Sequence, residues 1–345
     1  MNYPFKNLVF EGGGVKGIAY AGAMEVLGKF NIPQNIKRVG GTSAGAINAI
    51  LFGLNYSNDE TKTILSSLNF KDFLDDSWGY MRDTARLIDK FGWYKGDFFR
   101  DWISKLIAEK TGNRESTFKD VYDMKDKKGF RDIYMIGTNL STRFSEVFSY
   151  EHTPRVTLAD AVRISMSIPL FFTAMRSLRE DVYVDGGVLD NYPVKLFDRR
   201  KYIDNKDVAN TTAETPYYIK QNLLLKEAGK GTSPYVYNKE TLGFRLDSKE
   251  EISIFRDHTE PPQHKIDDFF AYTWGLIETI LDAQTNQHLH SDDWHRTIYI
   301  DTLGVKTTQF DLDDATKEAL VNSGIENTEK YFKWYGDPNA SPANR

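Results

Sequence analysis

Gly41-Thr42-Ser43-Ala44-Gly45 forms a G-x-S-x-G pentad between an apolar run and a stretch of helical spacing. A nucleophilic serine needs this context. On a sharp strand-to-helix turn the serine stands proud of the sheet, and its neighbours must be small because backbone segments crowd there. A helix starting at Ala44 also points its N-terminal amides and positive dipole end at the reacting centre. Without chemistry, the same pentad is a close-packed turn around a buried hydroxyl.

A nucleophilic serine also needs a place for developing negative charge. Upstream lies Gly12-Gly13-Gly14-Val15-Lys16-Gly17, directly after Leu8-Val9-Phe10. Consecutive glycines let backbone amides converge on one point with no side chain in the way. The spacing Gly12-x-Gly14-x-x-Gly17 also fits a dinucleotide-binding loop. That reading requires Asp or Glu about twenty residues on, at the end of the second strand, to hold a ribose. Gly40-Gly41-Thr42-Ser43 occupies that place instead, and no Gly-Lys-Ser/Thr follows at Walker spacing. The loop therefore reads as a cradle for a charge made during a reaction, an oxyanion.

The base is not a recognisable histidine. His152, His258, His264, His288, His290 and His295 are scattered or loosely clustered, without the helical pair spacing of a metal site. Asp185 is better placed, because it ends the apolar run Val182-Tyr183-Val184 and precedes Gly186-Gly187. It reads either as a turn residue or as a carboxylate that a tight turn brings to the serine. Aspartate is a weak base, with a reference pKa of about 3.9. It can accept a serine proton only in a desolvated site with strong oxyanion stabilisation.

These residues need a scaffold. Residues 7–11 read as a buried strand, 17–30 as a helix stopped by Pro33, 36–41 as a second strand and 44–54 as a second helix. That alternation predicts an α/β fold, three-layer α/β/α with a mainly parallel central sheet. Residues 131–140, 144–150 and 181–184 read as further strands, 157–166 as a helix and 297–301 as a late strand. Residues 313–335 read as a terminal helix or helix pair. From 199 to 295 the signals weaken, and the segment reads as an insertion or an elaborated edge with one helix over 267–284. Residues 1–345 are expected to form a single domain, with the motifs within 7–198 and C-terminal strand and helices over 296–335.

Hydrophobic residues make up 40% of the 345 residues, and the formal net charge is −5 with both signs dispersed. This gives no reason to expect nucleic acid as a partner. The absence of cysteine removes disulfides and thiol chemistry. No apolar run reaches the ~18 residues of a membrane span, and the N-terminus lacks a Sec-type signal. The expectation is a cytoplasmic protein acting peripherally on membranes, with signal-independent secretion left open. Aromatics crowd residues 68–103, including Phe70, Phe73, Trp78, Tyr80, Trp93 and Tyr94. They read as a packed helical cap or as a lipid-facing entrance.

Gly-Gly-Gly-x-Lys-Gly at 12–17, Gly-Thr-Ser-Ala-Gly at 41–45 and Asp-Gly-Gly at 185–187 occur in this order. Ser165-Met166-Ser167-Ile168-Pro169 and the run from Val184 to Pro193, VDGGVLDNYP, accompany them. In these motifs the chain resembles the bacterial patatin-like phospholipases. The resemblance implies a serine–aspartate dyad with Ser43 as nucleophile and Asp185 as base, and an oxyanion loop at Gly12, Gly13 and Gly14. It implies supporting roles for Lys16, Gly41, Gly45, Gly186 and Gly187, and hydrolysis of fatty-acyl esters through an acyl-enzyme with no metal or cofactor. It also suggests control by an activating partner or self-assembly, for which 199–295 is the segment to examine. A carboxylesterase, an acyltransferase on the same dyad and a non-catalytic lipid-binding effector stay open.

Overall fold

In a computed structural model the described residues are 3–74, 87, 89–203, 212–213, 215–229, 233–249, 251, 260, 263, 265–267, 271–272, 275–280 and 292–340. Among the described residues there are twelve strands: β1 (Asn7–Phe10), β2 (Arg38–Gly41), β3 (Gly92–Tyr94), β4 (Asp132–Asn139), β5 (Phe144–Ser149), β6 (Leu170–Phe172), β7 (Met175–Arg176), β8 (Val182–Asp185), β9 (Thr212–Ala213), β10 (Tyr237–Asn238), β11 (Thr241–Asp247) and β12 (Thr297–Asp301). The helices are α1 (Ala19–Lys29), α2 (Ala44–Gly53), α3 (Asn58–Ser67), α4 (Asp97–Thr111), α5 (Phe118–Lys128), α6 (Leu158–Ser165), α7 (Gly187–Asp190), α8 (Pro216–Glu227) and α9 (Asp314–Tyr335).

The central sheet runs β12-β11-β1-β2-β4-β8-β7, with β5 added to β4. From β12 to β4 every pairing is parallel, while β8, β7 and β5 are antiparallel. This is the expected mixed α/β fold, with a mostly parallel sheet flanked by helices. Strand alternation divides the core. Leu8 and Phe10 face one hydrophobic cluster and Val9 the other, as Ile133 and Met135 are divided from Tyr134. The larger face is covered by helices: α2 lies on β1, β2 and β4, α6 lies on β4, and α9 packs on β12 and α1. The opposite face is closed by Tyr192, Val194, Phe197 and Tyr202.

The stretch 199–295 is not all insertion or edge, because β11 lies inside it and inside the sheet, between β1 and β12. All seven residues of β11 are buried, and Phe244 stacks on Phe10 with ring centroids 5.0 Å apart. Its sequence, TLGFRLD, does not read as a parallel core strand, because such strands are near-continuous apolar runs. Arg245 and Asp247 break the run, and both are buried in an ion cluster that sequence pattern does not reveal. The end of the chain is one helix rather than a pair, capped by the Asp313 side chain on the Thr316 amide. Among the described residues the aromatic stretch is partly packed, with Phe91 and Phe98 exposed. Phe70, Phe73 and Phe99 are buried, and Phe73 meets Phe98, Phe99 and Trp102 at 5.3 to 5.9 Å. Trp78 and Tyr80 lie outside the described residues.

The placement of β11 has a direct test. Phe244→Ala should lower unfolding free energy by about 3–5 kcal/mol, the usual cost of emptying an aromatic core site. Urea unfolding measures it, and a loss below about 1 kcal/mol is incompatible with a core strand here.

Candidate active site

Ser43 sits where β2 ends and α2 begins, with φ 54° and ψ −124°. A non-glycine residue in this region is strained, and surrounding structure must hold it there. Gly41 and Gly45 supply the space. A Cβ on Gly41 would stand 2.2 Å from the Gly45 carbonyl oxygen, and one on Gly45 would stand 2.3 Å from that of Phe10. The Ser43 amide donates to Ser165 Oγ at 2.9 Å, and Thr42 Oγ1 donates to the Asp190 carbonyl at 2.9 Å. The Ser43 hydroxyl is 5% exposed and makes a weak 3.5 Å contact to Met166 Sδ. It is therefore almost uncommitted.

Asp185 ends β8, level with Gly137 of β4. Since Gly41 of β2 is level with Met135, the carboxylate stands just beyond the end of β2, at the height of Ser43. Asp185 Oδ1 accepts the Gly187 amide at 2.7 Å, while the Asp185 amide donates to the Ser167 carbonyl at 2.8 Å. Oδ2 is buried and has no hydrogen bond in the present Ser43 rotamer. Burial pushes the Asp185 pKa up to about 7, against the lowering effects of the Gly187 amide and the nearby Ser43 hydroxyl. Gly186 is required by a close approach, because a Cβ there would lie 2.4 Å from the Ile136 carbonyl oxygen.

The glycine loop follows β1, at the same edge. A Cβ on Gly12 would come within 3.0 Å of Ser43 Cβ, which places the loop against the serine. Gly12 itself is not a free donor: its amide is spent on the Asn191 carbonyl at 3.0 Å, and Asn191 Nδ2 donates back to the Gly12 carbonyl at 3.3 Å. The Gly12 amide is therefore not available as the third expected donor, while the Gly13 and Gly14 amides have no backbone partner among the described residues. Gly14 has φ +56°, a conformation that favours glycine.

Beneath the loop lies a buried ionic cluster. Glu11 Oε2 accepts the Leu246 amide at 2.8 Å, its Oε1 is 3.7 Å from Arg245, and Arg245 reaches Asp247 at 2.5 Å. Burial pushes Glu11 up to about 8, partly offset by Arg245 and by the positive charge of Lys16. Lys16 is half-buried and forms no ion pair within 4.0 Å among the described residues, and its charge acts on Glu11.

The structure thus brings Ser43, Asp185 and the glycine loop together, and no histidine among the described residues joins them. His152 Nδ1 contacts Ser149 Oγ at 2.7 Å, and His295 packs beside the Trp334 ring. His258, His264, His288 and His290 lie outside the described residues, among which no group of three metal-ligating side chains occurs. Sequence reasoning missed Asn191, Arg245 and Asp247, and gave Ser165 and Met166 no role at the serine. Asn191 lies in the quoted VDGGVLDNYP run, so its position was visible while its partner was not.

Two predictions follow from these contacts. Ser165→Ala leaves the buried Ser43 amide unpaired and should cost about 1–3 kcal/mol in urea unfolding. Asp185→Asn acts differently, because an acid whose pKa is raised on folding destabilises the folded state as pH climbs from its unfolded value through its folded one. From about 3.9 to about 7 the wild type should lose stability relative to the variant. The variant should be the more stable at pH 8, on the order of a few kcal/mol, and the gap should close toward pH 4. A pH-independent difference would sink the assignment of a buried, titrating Asp185.

Comparison with known proteins agrees with the motif order. The patatin-like phospholipase family model matches residues 8–198. Protein R571 of Acanthamoeba polyphaga mimivirus is 33% identical over 327 residues, 94% of this chain and 93% of that protein. The probable lipid hydrolase 463L of Invertebrate iridescent virus 6 is 26% identical over 226 residues, 64% of this chain and 73% of that protein. Among solved structures, VipD from Legionella pneumophila shares the fold with a TM-score of 0.57 over 96% of this chain and 67% of that one, at 17% identity. With the family model spanning the glycine loop, the serine elbow and the Asp-Gly-Gly turn, the chain belongs to the patatin-like phospholipase family.

Proposed function

We propose that this protein is a lipid acyl hydrolase of phospholipase A type that works through Ser43 and Asp185. One observation carries the reading. A strained, almost uncommitted serine stands beside a buried carboxylate with one unpaired oxygen and a pKa near neutrality. Family membership supports lipid hydrolysis as the class of reaction.

The Ser43 hydroxyl turns from Met166 toward Asp185 Oδ2. As Oγ attacks the ester carbonyl carbon, its proton passes to the carboxylate. The carbonyl electrons move onto oxygen, where the Gly13 and Gly14 amides meet the charge. The tetrahedral intermediate collapses, the C–O bond to the leaving group breaks, and Asp185 returns the proton to the departing lysolipid or alcohol. Water then attacks the acyl-enzyme with Asp185 again as base, releasing fatty acid and free Ser43. A carboxylesterase or transferase would share these steps and differ in substrate or acyl acceptor.

Fatty-acid release from phospholipid vesicles and turnover of a small soluble ester test the proposal together. Ser43→Ala and Asp185→Asn should each reduce kcat by at least about 10³-fold while remaining folded. In the wild type, kcat/KM on the soluble ester should fall tenfold per unit below an acid limb near pH 7, where Asp185 takes up a proton. Full activity in either variant, or ligand binding without turnover in the wild type, overturns the proposal.

A further inference from the structure

The catalytic edge carries a feature that the dyad does not use. β4 outruns β2: its residues after Met135 continue past Gly41, and there it pairs with β8 and β5. Two neighbouring turns result. One links β4 to β5 over 140–143, the other links β7 to β8 over 177–181. Leu140 donates its amide to the Val182 carbonyl at 2.8 Å, and Val182 is paired with Arg176, so the turns are side by side. Val182 lies three residues outward from Asp185, roughly 10 Å at the rise of a strand. Both tips therefore project from the edge that holds the dyad.

These tips expose what a water-facing turn normally hides. Leu178 is fully exposed, Phe144 is 71% exposed and Leu140 47%. Phe91 and Leu170, on the adjoining β3–β6 ribbon, are 44% and 42% exposed, and Arg176 lies 5.7 Å over the Phe91 ring. Arginines sit among the apolar tips. Arg143 and Arg179 are exposed without an ion pair among the described residues, and Arg176 has a loose 3.8 Å contact to Glu180. By contrast, Tyr94 packs on Phe171 at 4.9 Å, which in turn stacks on Phe310 at 5.3 Å.

We infer that the tips at 140–144 and 176–180, with Phe91 and Leu170, form the surface by which this protein seats its catalytic edge on a phospholipid bilayer. The inference rests on the hydrolase reading and adds where the membrane lies. Protruding apolar tips enter the boundary between headgroups and acyl chains, as amphipathic elements do. A flat protein partner would need matching grooves for each of them. Arginines beside the tips stand at headgroup depth, where a guanidinium binds phosphate in a fork. The chain's net charge of −5 gives no general attraction to lipid, so contact must be local. No helix among the described residues is long and apolar enough to cross a membrane.

Vesicle flotation tests this, with phosphatidylcholine vesicles with and without phosphatidylglycerol, in a Ser43→Ala background so that lipid is not consumed. Phe144→Asp with Leu178→Asp should lower partitioning at least about tenfold, given the apolar area withdrawn. Arg143→Gln, Arg176→Gln and Arg179→Gln together should weaken binding about threefold or more and flatten its salt dependence. Leu178→Trp, at a site open enough not to disturb folding, should shift its emission to the blue when vesicles are added. With Ser43 present, the tip variants should keep wild-type turnover of the soluble ester and lose hydrolysis of vesicles. Vesicle binding unchanged by the double aspartate variant overturns the inference, as does a wild type that never floats. A self-associated wild type made monomeric by that variant would assign the tips to a second copy instead. Failure of the wild type on the soluble ester would count against the hydrolase reading and leave the flotation result standing.

Discussion

The backbone of Ser43 is the constraint around which this molecule is arranged. A residue with a side chain held at φ 54° loses free energy that its neighbours must return. They do so by crowding. The ends of β1 and β2 and the first turn of α2 meet where Gly41 and Gly45 leave no room for a Cβ, and Ser165 takes the Ser43 amide. α2 is buried along its whole length, so it cannot shift to relax the turn. The strain is thus a property of sheet and helix together, and it leaves the Ser43 hydroxyl with a weak contact to Met166 Sδ and the Asp185 carboxylate close by.

Asp185 shows the complementary cost. A carboxylate with one oxygen satisfied by an amide and the other unpaired is poor for stability, and burial raises its pKa. The same desolvation makes it a stronger base than an exposed aspartate, as the proposed pairing with Ser43 requires. Nearby cations would defeat this by pulling the pKa down. No cation is among the influences on Asp185, whereas Lys16 and Arg245 act on Glu11 beneath the glycine loop. Positive charge is thus kept beneath the glycine loop and away from Asp185.

The glycine loop is held from two directions. Asn191, six residues beyond Asp185, clasps Gly12 by both its carbonyl and its side chain. From below, Leu246 and the Glu11–Arg245–Asp247 cluster fill the space next to Gly13. Asp185 and the glycine loop are therefore parts of one connected structure, since the turn that carries Asp185 continues directly into the residue that holds the loop. Such coupling would keep the proposed reacting groups aligned.

Local chemistry was legible in the sequence wherever one backbone need dictates one residue type. Gly41 and Gly45 around Ser43, the triple glycine after β1, and Gly186 after Asp185 each answer a steric demand that nothing but glycine meets. The early strands and helices followed from apolar spacing, because burial on one face writes itself into the chain at that face's period. The tertiary structure alone decided whatever depends on partners far apart in sequence. Arg245 made β11 look polar, because one of its carboxylate partners, Glu11, lies 234 residues away and only folding brings it near. Gly12 looked like a free donor until Asn191 was seen to occupy it. Hairpin tips with exposed leucine and phenylalanine look like ordinary strand residues in a string of letters. Which end of the sheet they project from follows from the register of β4 against β2 and β8, a long-range pairing that the sequence pattern leaves open.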